Sequence, residues 1–230
     1  MESFAKDVTN YDEYPQSADI LHRCVSMLGR LFHTPVGEGA VGTSVVGTSE
    51  AIMLSLVAMK IRWRNRRKAG GYSSDKPNIV MSSAAHPYWA ASARYFDIEE
   101  KYIYCTEDRY VIDPQEAVRL VDENTIGICC VLGTTYTGEY EDVRKVNALL
   151  AMEKLEIPIH VDADSGGFVA PFIVPDLKWD FRKLSKLALG LKAVHLQIAI
   201  SGLENVVSIN VSGHKACELI TFLETFLTQF

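Results

Sequence analysis

"IPIHVDADSGGF", residues 157–168, runs from an apolar, β-branched stretch into a carboxylate and then into small residues. The segment "IHVD" (159–162) has the composition of a short strand buried on both faces, with Asp162 at its end. A carboxylate at the end of such a strand is nearly out of water. It needs a cationic partner or several hydrogen-bond donors. The small Ala163, Ser165, Gly166 and Gly167 leave room for a flat ligand. A capping aspartate ahead of a Gly-rich turn would account for the same residues. His160 and Asp162 also form a His-x-Asp pair, but a third and fourth metal ligand have no obvious source, so no metal is assigned.

Similar strands occur on either side: "NIVM" (78–81), "KYIYC" (101–105), "GICCVL" (127–132) and "VVSINV" (206–211). Helical patterns alternate with them. Ser17 to Phe32 carries apolar residues at helical spacing, and Ser49 to Lys68 is rich in helix formers and stops at Gly70-Gly71. Asp113-Pro114 opens a helix running to about Asp122, and Val143 to Leu155 forms another. The alternation predicts an α/β fold, a mostly parallel (mixed) sheet with helices on both faces. Ligands of such sheets bind at the carboxyl ends of the strands.

The chain of 230 residues is 48% apolar and 23% charged, enough for a real core in one large domain or two small ones. A net charge of -6 argues against nucleic acid as a partner. The basic run "KIRWRNRRK" (60–68) closes a helix, where cations suit the dipole and a solvated face. No signal peptide and no bilayer-length apolar run appear, so no membrane partner is expected. Five scattered cysteines without CxxC spacing point to reduced thiols and a cytoplasmic protein.

The residues with chemistry fall at the strand ends. "VGTSVVGTSEA" (41–51) sets Thr48 and Ser49 at a helix start, an anion site suited to phosphate or an ordinary N-cap. "SSAAHPYW" (82–89) places His86 after a strand, and "LGTTYTGEY" (132–140) is a hydroxyl-rich turn. "SINVSGHKAC" (208–217) ends a strand on Ser212, His214 and Lys215. A lysine there is costly to bury as an ammonium but not as an imine. Taken together, the set matches what pyridoxal 5'-phosphate needs: a helix N-terminus for its phosphate, a buried carboxylate for its pyridine nitrogen, a lysine for its aldehyde and a flat partner for its ring.

"VGTSVVGTSEAIMLSLVAMK", "GTTYTGEYEDV", "IHVDADSGGFVAPF", "WDFR" and "VSINVSGHK" resemble the glutamate decarboxylases, a branch of the group II pyridoxal-phosphate decarboxylases. The resemblance covers nearly all of 12–182 and 203–215. It implies the large domain of the aspartate aminotransferase-type fold (fold type I). It also implies decarboxylation of L-glutamate to 4-aminobutyrate through a Lys215 Schiff base, and a homo-oligomer, dimer or higher. Asp162 would pair with the pyridine nitrogen. Thr48 and Ser49 would hold the phosphate with Ser212 and His214, and Thr135 would bond near the Asp162 end or the ring hydroxyl. His86 would stack on the ring; the glutamate enzymes have Gln there, and other group II members have His.

Three features depart from the family pattern. Asp164 replaces a small Ala that packs on the cofactor ring. Residues 183–202 look like an atypical insertion, and 216–230 like an atypical tail with no further strand-helix units. The organisation expected is a helical segment (1–35), a cofactor-binding large domain (36–215) and that tail, with the small C-terminal domain missing. This is the pattern of a truncated or mis-spliced product. The alternatives to an active glutamate decarboxylase are a non-catalytic fragment and a related group II decarboxylase with another amino-acid substrate.

Overall fold

The computed structural model describes residues 12–32, 41–173, 203 and 205–213, together with the backbone of 224–228. His214, Lys215 and the expected insertion at 183–202 lie outside the described residues.

The chain order is α1 (Pro15–Leu31), β1 (Val41–Val45), α2 (Gly47–Ala69), β2 (Asn78–Ser82), α3 (Tyr88–Tyr95) and β3 (Glu99–Ile103). It continues through α4 (Pro114–Arg119), β4 (Thr125–Val131), α5 (Val143–Met152), β5 (Ile159–Ala163), α6 (Ala170–Ile173), β6 (Val206–Ser212) and β7 (Glu224–Thr228). One seven-stranded sheet runs in the order β1-β7-β6-β5-β4-β2-β3. The run from β3 to β6 is parallel throughout, as the strand–helix alternation requires. β7 is antiparallel to both of its neighbours, so the sheet is mixed.

The sheet separates two apolar layers. On one side Val80, Ile128, Cys130, Ile159, Val161, Ile209 and Val211 pack with Val25 and Leu28 of α1, Ala117 of α4 and Val146 and Leu150 of α5. On the other side Ile79, Met81 and Cys129 pack with Ile52, Leu56, Met59 and Trp63 of α2 and Trp89 and Ala93 of α3. β2, β4 and β5 are buried along their whole length, which explains their unbroken apolar sequences. Helix α4 starts where Asp113 takes the N–H groups of Gln115 and Glu116 at 2.9 and 3.0 Å. Gly127 is a close-approach position: a Cβ there would collide with Met59 Sδ of α2.

The five strands expected from sequence all form, within two residues of their expected bounds. Four elements were not expected, the four-residue α6 among them. β1 reads as a turn because Gly42, Thr43 and Ser44 lack strand periodicity; its backbone pairing with β7 makes it a strand. The eight-residue α3 carries no side-chain cap, so its start leaves little trace in sequence. The tail, in which no further strand-helix unit was expected, supplies the antiparallel β7, which fits between β1 and β6. That placement comes from two non-local ladders, and a local reading of five residues does not contain them.

Candidate functional site

Polar groups gather on the α2/α3 side of the sheet, near the carboxyl ends of β5 and β6. Strand periodicity explains the grouping. Along β6, Ser208, Asn210 and Ser212 point one way, while Ile209 and Val211 point into the opposite core. Along β5, His160 and Asp162 share that polar side. The register sets Cys129, His160 and Ser208 in one row across the sheet, and Val131, Asp162 and Asn210 in the next.

Asp162 is buried, and three donors converge on it. Trp89 Nε1, from the first turn of α3, donates to Oδ2 at 2.7 Å. Asn210 Nδ2 donates to Oδ1 at 2.9 Å, and the Asp164 N–H to the same oxygen at 3.3 Å. Among the described residues, several donors and no cation hold this carboxylate. They leave part of its acceptor capacity of about four sites.

The network extends further in one direction. Because Asn210 gives its amide N–H to Asp162, its Oδ1 faces His160 Nε2 at 2.8 Å and must accept from it. His160 Nδ1 then accepts from the Ser208 hydroxyl at 2.7 Å. That is a neutral imidazole with its proton on Nε2. Burial agrees, lowering the His160 pKa to about 4 against the opposing pull of Asp162 and Asn210. With both ring nitrogens engaged, His160 serves as a neutral strut behind Asn210. The Trp89 ring lies 5.2 Å from the His160 ring, tilted by 54°.

Thr48 and Ser49 lie in the first turn of α2. The N-cap is Val46, with no side-chain cap bond, and Gly47 takes a left-handed φ of 83° that favours glycine. Glu50 Oε2 accepts the Val46 N–H at 2.6 Å. Thr48 is therefore not an ordinary capping residue. Its hydroxyl crosses to β5's end and donates to Asp164 Oδ1 at 2.6 Å, with both side chains buried.

The other expected site residues fall as follows. His86 sits half-buried between β2 and α3, three residues before Trp89, and its Nδ1 accepts the Tyr88 N–H at 3.2 Å. Ser212 is buried at the end of β6, two residues after Asn210. Thr135 is exposed in the turn after β4 and makes no hydrogen bond to Asp162. The buried hydroxyl of that turn is Thr134, bonded to Thr137 at 2.8 Å.

Room for a flat ligand does not come from the glycines after Asp162. A Cβ on Gly166 would collide with Leu132 O, and one on Gly167 with Val211 Cγ1. Gly166 N–H bonds Leu132 O at 2.9 Å. These glycines let the turn close onto β4 and β6, and protein fills the space.

Sequence reading missed Trp89, Asn210 and Ser208. The polar i, i+2 alternation in "VVSINVS" was the available signal for the last two. Trp89 carried none, since an aromatic in a short helix reads as core. Glu141 was missed as well. It is buried and accepts from Val131 N at 2.7 Å and Ile112 N at 2.9 Å. Burial raises its pKa to about 7 in spite of these bonds.

Comparison with known proteins bears on what this arrangement does. The pyridoxal-dependent decarboxylase conserved domain matches residues 1–186. Glutamate decarboxylase 5 of Arabidopsis thaliana is 48% identical over 221 residues, 94% of this chain and 41% of that protein. Glutamate decarboxylase of Aliivibrio fischeri is 41% identical over 93% of this chain and 42% of its own length. The solved glutamate decarboxylase of Lactobacillus brevis superposes with a TM-score of 0.80 at 37% identity, covering 96% of this chain and 47% of that one. The Oryza sativa TDC structure with PLP and tryptamine, at 20% identity and a TM-score of 0.71, shares the fold. The chain spans less than half the length of these relatives.

Proposed function

The chain belongs to the pyridoxal-dependent decarboxylase family, and on that premise we propose that it acts in the decarboxylation of L-glutamate to 4-aminobutyrate as part of a homo-oligomer. The observation that carries the reading is the convergence of Trp89, Asn210 and the Asp164 N–H on buried Asp162, at the carboxyl end of β5. The neighbouring strand β6 leads directly into His214 and Lys215.

The residues fit pyridoxal phosphate at its nitrogen end. Asp162 is a fixed carboxylate with acceptor capacity to spare, in a place where a charged partner is worth more than in water. Asp162 would hold the pyridine nitrogen, Lys215 the aldehyde carbon, and Ser49, Ser212 and His214 the phosphate. His86 would lie against the ring. When bound, the group supplies the electron sink that lets carbon dioxide leave the amino acid. The chain's own share is orientation. Trp89 and Asn210 fix the carboxylate's direction, and neutral His160 holds Asn210 without placing a second positive charge beside Asp162. A cytosolic setting suits the four described cysteines, all free thiols, and no described helix is long and apolar enough to cross a membrane.

The test is to add pyridoxal phosphate to the purified chain, reduce with borohydride and map the labelled lysine by peptide mass spectrometry. A single label at Lys215, lost in Asp162→Ala, is expected, together with 4-aminobutyrate formed from glutamate. Labels scattered over surface lysines would sink the reading. A second reading, a fold that keeps the family's frame without turnover, draws support from the Thr48–Asp164 bond.

A further inference from the structure

Two carboxylates emerge from the same strand end. Asp162 faces its three donors; Asp164, two residues on, reaches toward the first turn of α2 and takes the Thr48 hydroxyl at 2.6 Å. Asp164 is 7% exposed and Thr48 9%, so water does not screen the contact as it would at the surface. The first turn of a 23-residue helix, with a hydroxyl at its second position, attracts an anion, and the chain's own carboxylate has taken that hydroxyl. A hydroxyl has one proton to donate. Thr48 therefore gives it either to Asp164 or to an incoming phosphate oxygen. A phosphate seated there also meets a like charge in a weakly screened place.

We infer that Asp164 is a built-in competitor for the cofactor's phosphate, so that this chain discriminates against the phosphate ester relative to the same ring without it. The inference rests on the reading of the site as a pyridoxal site. It deepens that reading by setting which form of the cofactor the site prefers. The hydrogen bond from Asp164 to Asp162 comes from its backbone N–H, which a side-chain substitution keeps.

The experiment is an equilibrium titration of the full chain with pyridoxal phosphate and, separately, with unphosphorylated pyridoxal, followed by tryptophan emission and cofactor absorbance. Asp164→Asn keeps the shape and removes the charge. It is expected to tighten pyridoxal phosphate by roughly tenfold or more, because the like charge is gone and a neutral amide oxygen holds the Thr48 hydroxyl less strongly than a carboxylate does, and to leave pyridoxal unchanged. Thr48→Ala is expected to weaken the phosphate form in the Asp164→Asn background but not in the parent, a coupling that a double-mutant cycle reads directly. Equal shifts for the two ligands would overturn the inference in favour of ring crowding, and no shift for either would overturn it outright. If the parent is labelled at Lys215 and Asp164→Asn binds no tighter, the cofactor reading stands and the competitor fails. If neither ligand binds the parent or either variant, both fail together.

Discussion

Strands β5 and β6 show one chemistry on one face and its opposite on the other. Ile159, Val161, Ala163, Ile209 and Val211 enter an apolar layer in which contact is the only interaction. His160, Asp162, Ser208 and Asn210, their immediate neighbours in sequence, form a directional chain of hydrogen bonds. The same backbone serves both. An apolar face tolerates any side chain of suitable volume. A polar face tolerates few changes, because each donor has a specific acceptor and a missing partner leaves a buried group unsatisfied.

The two faces should break differently. Val161→Asp puts an unpaired charge into the apolar layer, where Val161 is 1% exposed. A loss of more than about 4 kcal/mol is expected, seen as the disappearance of a cooperative urea transition. A folded Val161→Asp protein would mean that this face is less sealed than its burial indicates.

The next effect is in pH. His160 has a folded pKa of about 4 against 6.5, so the unfolded chain binds its proton first, and stability falls as pH drops from 6.5 towards 4. Glu141 has a folded pKa of about 7 against 4.5, so the unfolded chain loses its proton first, and stability falls as pH rises from 4.5 towards 7. Each slope amounts to a few kcal/mol, and they oppose each other across most of one window. The parent should show a nearly flat profile there. Glu141→Gln should expose a rise in stability with pH, and His160→Gln a fall, both measured as urea midpoints at several pH values. Parallel profiles in the two variants would contradict the assignment.

Smaller losses are expected on the polar face. Asp162→Ala strands Trp89 Nε1 and Asn210 Nδ2 and should cost about 2–3 kcal/mol, with Asp162→Asn milder because it keeps one acceptor. The check is the urea midpoint together with the Trp89 indole N–H resonance, which should move in both variants. Ser208→Ala removes the outermost donor and should cost about 1 kcal/mol. A larger loss there would show that the network behaves as one unit.

The parallel sheet was legible because its strands are buried on both faces and their composition says so. Asp162 was legible because a carboxylate ending such a strand stands out. Asp164 was visible as a departure, but its bond to Thr48 joins two positions far apart in sequence. The glycines of "SGGF" were misread because small residues signal close approach without saying what approaches. Trp89, Asn210 and Ser208 needed the register of three strands and a helix, and β7 needed two ladders.

The position of β7 also bears on when the molecule can close. Among the described strands, β1 joins the sheet through β7 alone, pairing Val41 with Thr228. On a ribosome adding roughly 5–20 residues per second, β1 emerges about ten to forty seconds before the strand that secures it. Throughout that interval the edge of β1, and the anchoring of the helix that carries Thr48, wait on residues not yet made. The exposed edge is a template for pairing with another chain, so the arrival of β7 decides whether β1 finds its own sheet or a neighbour's.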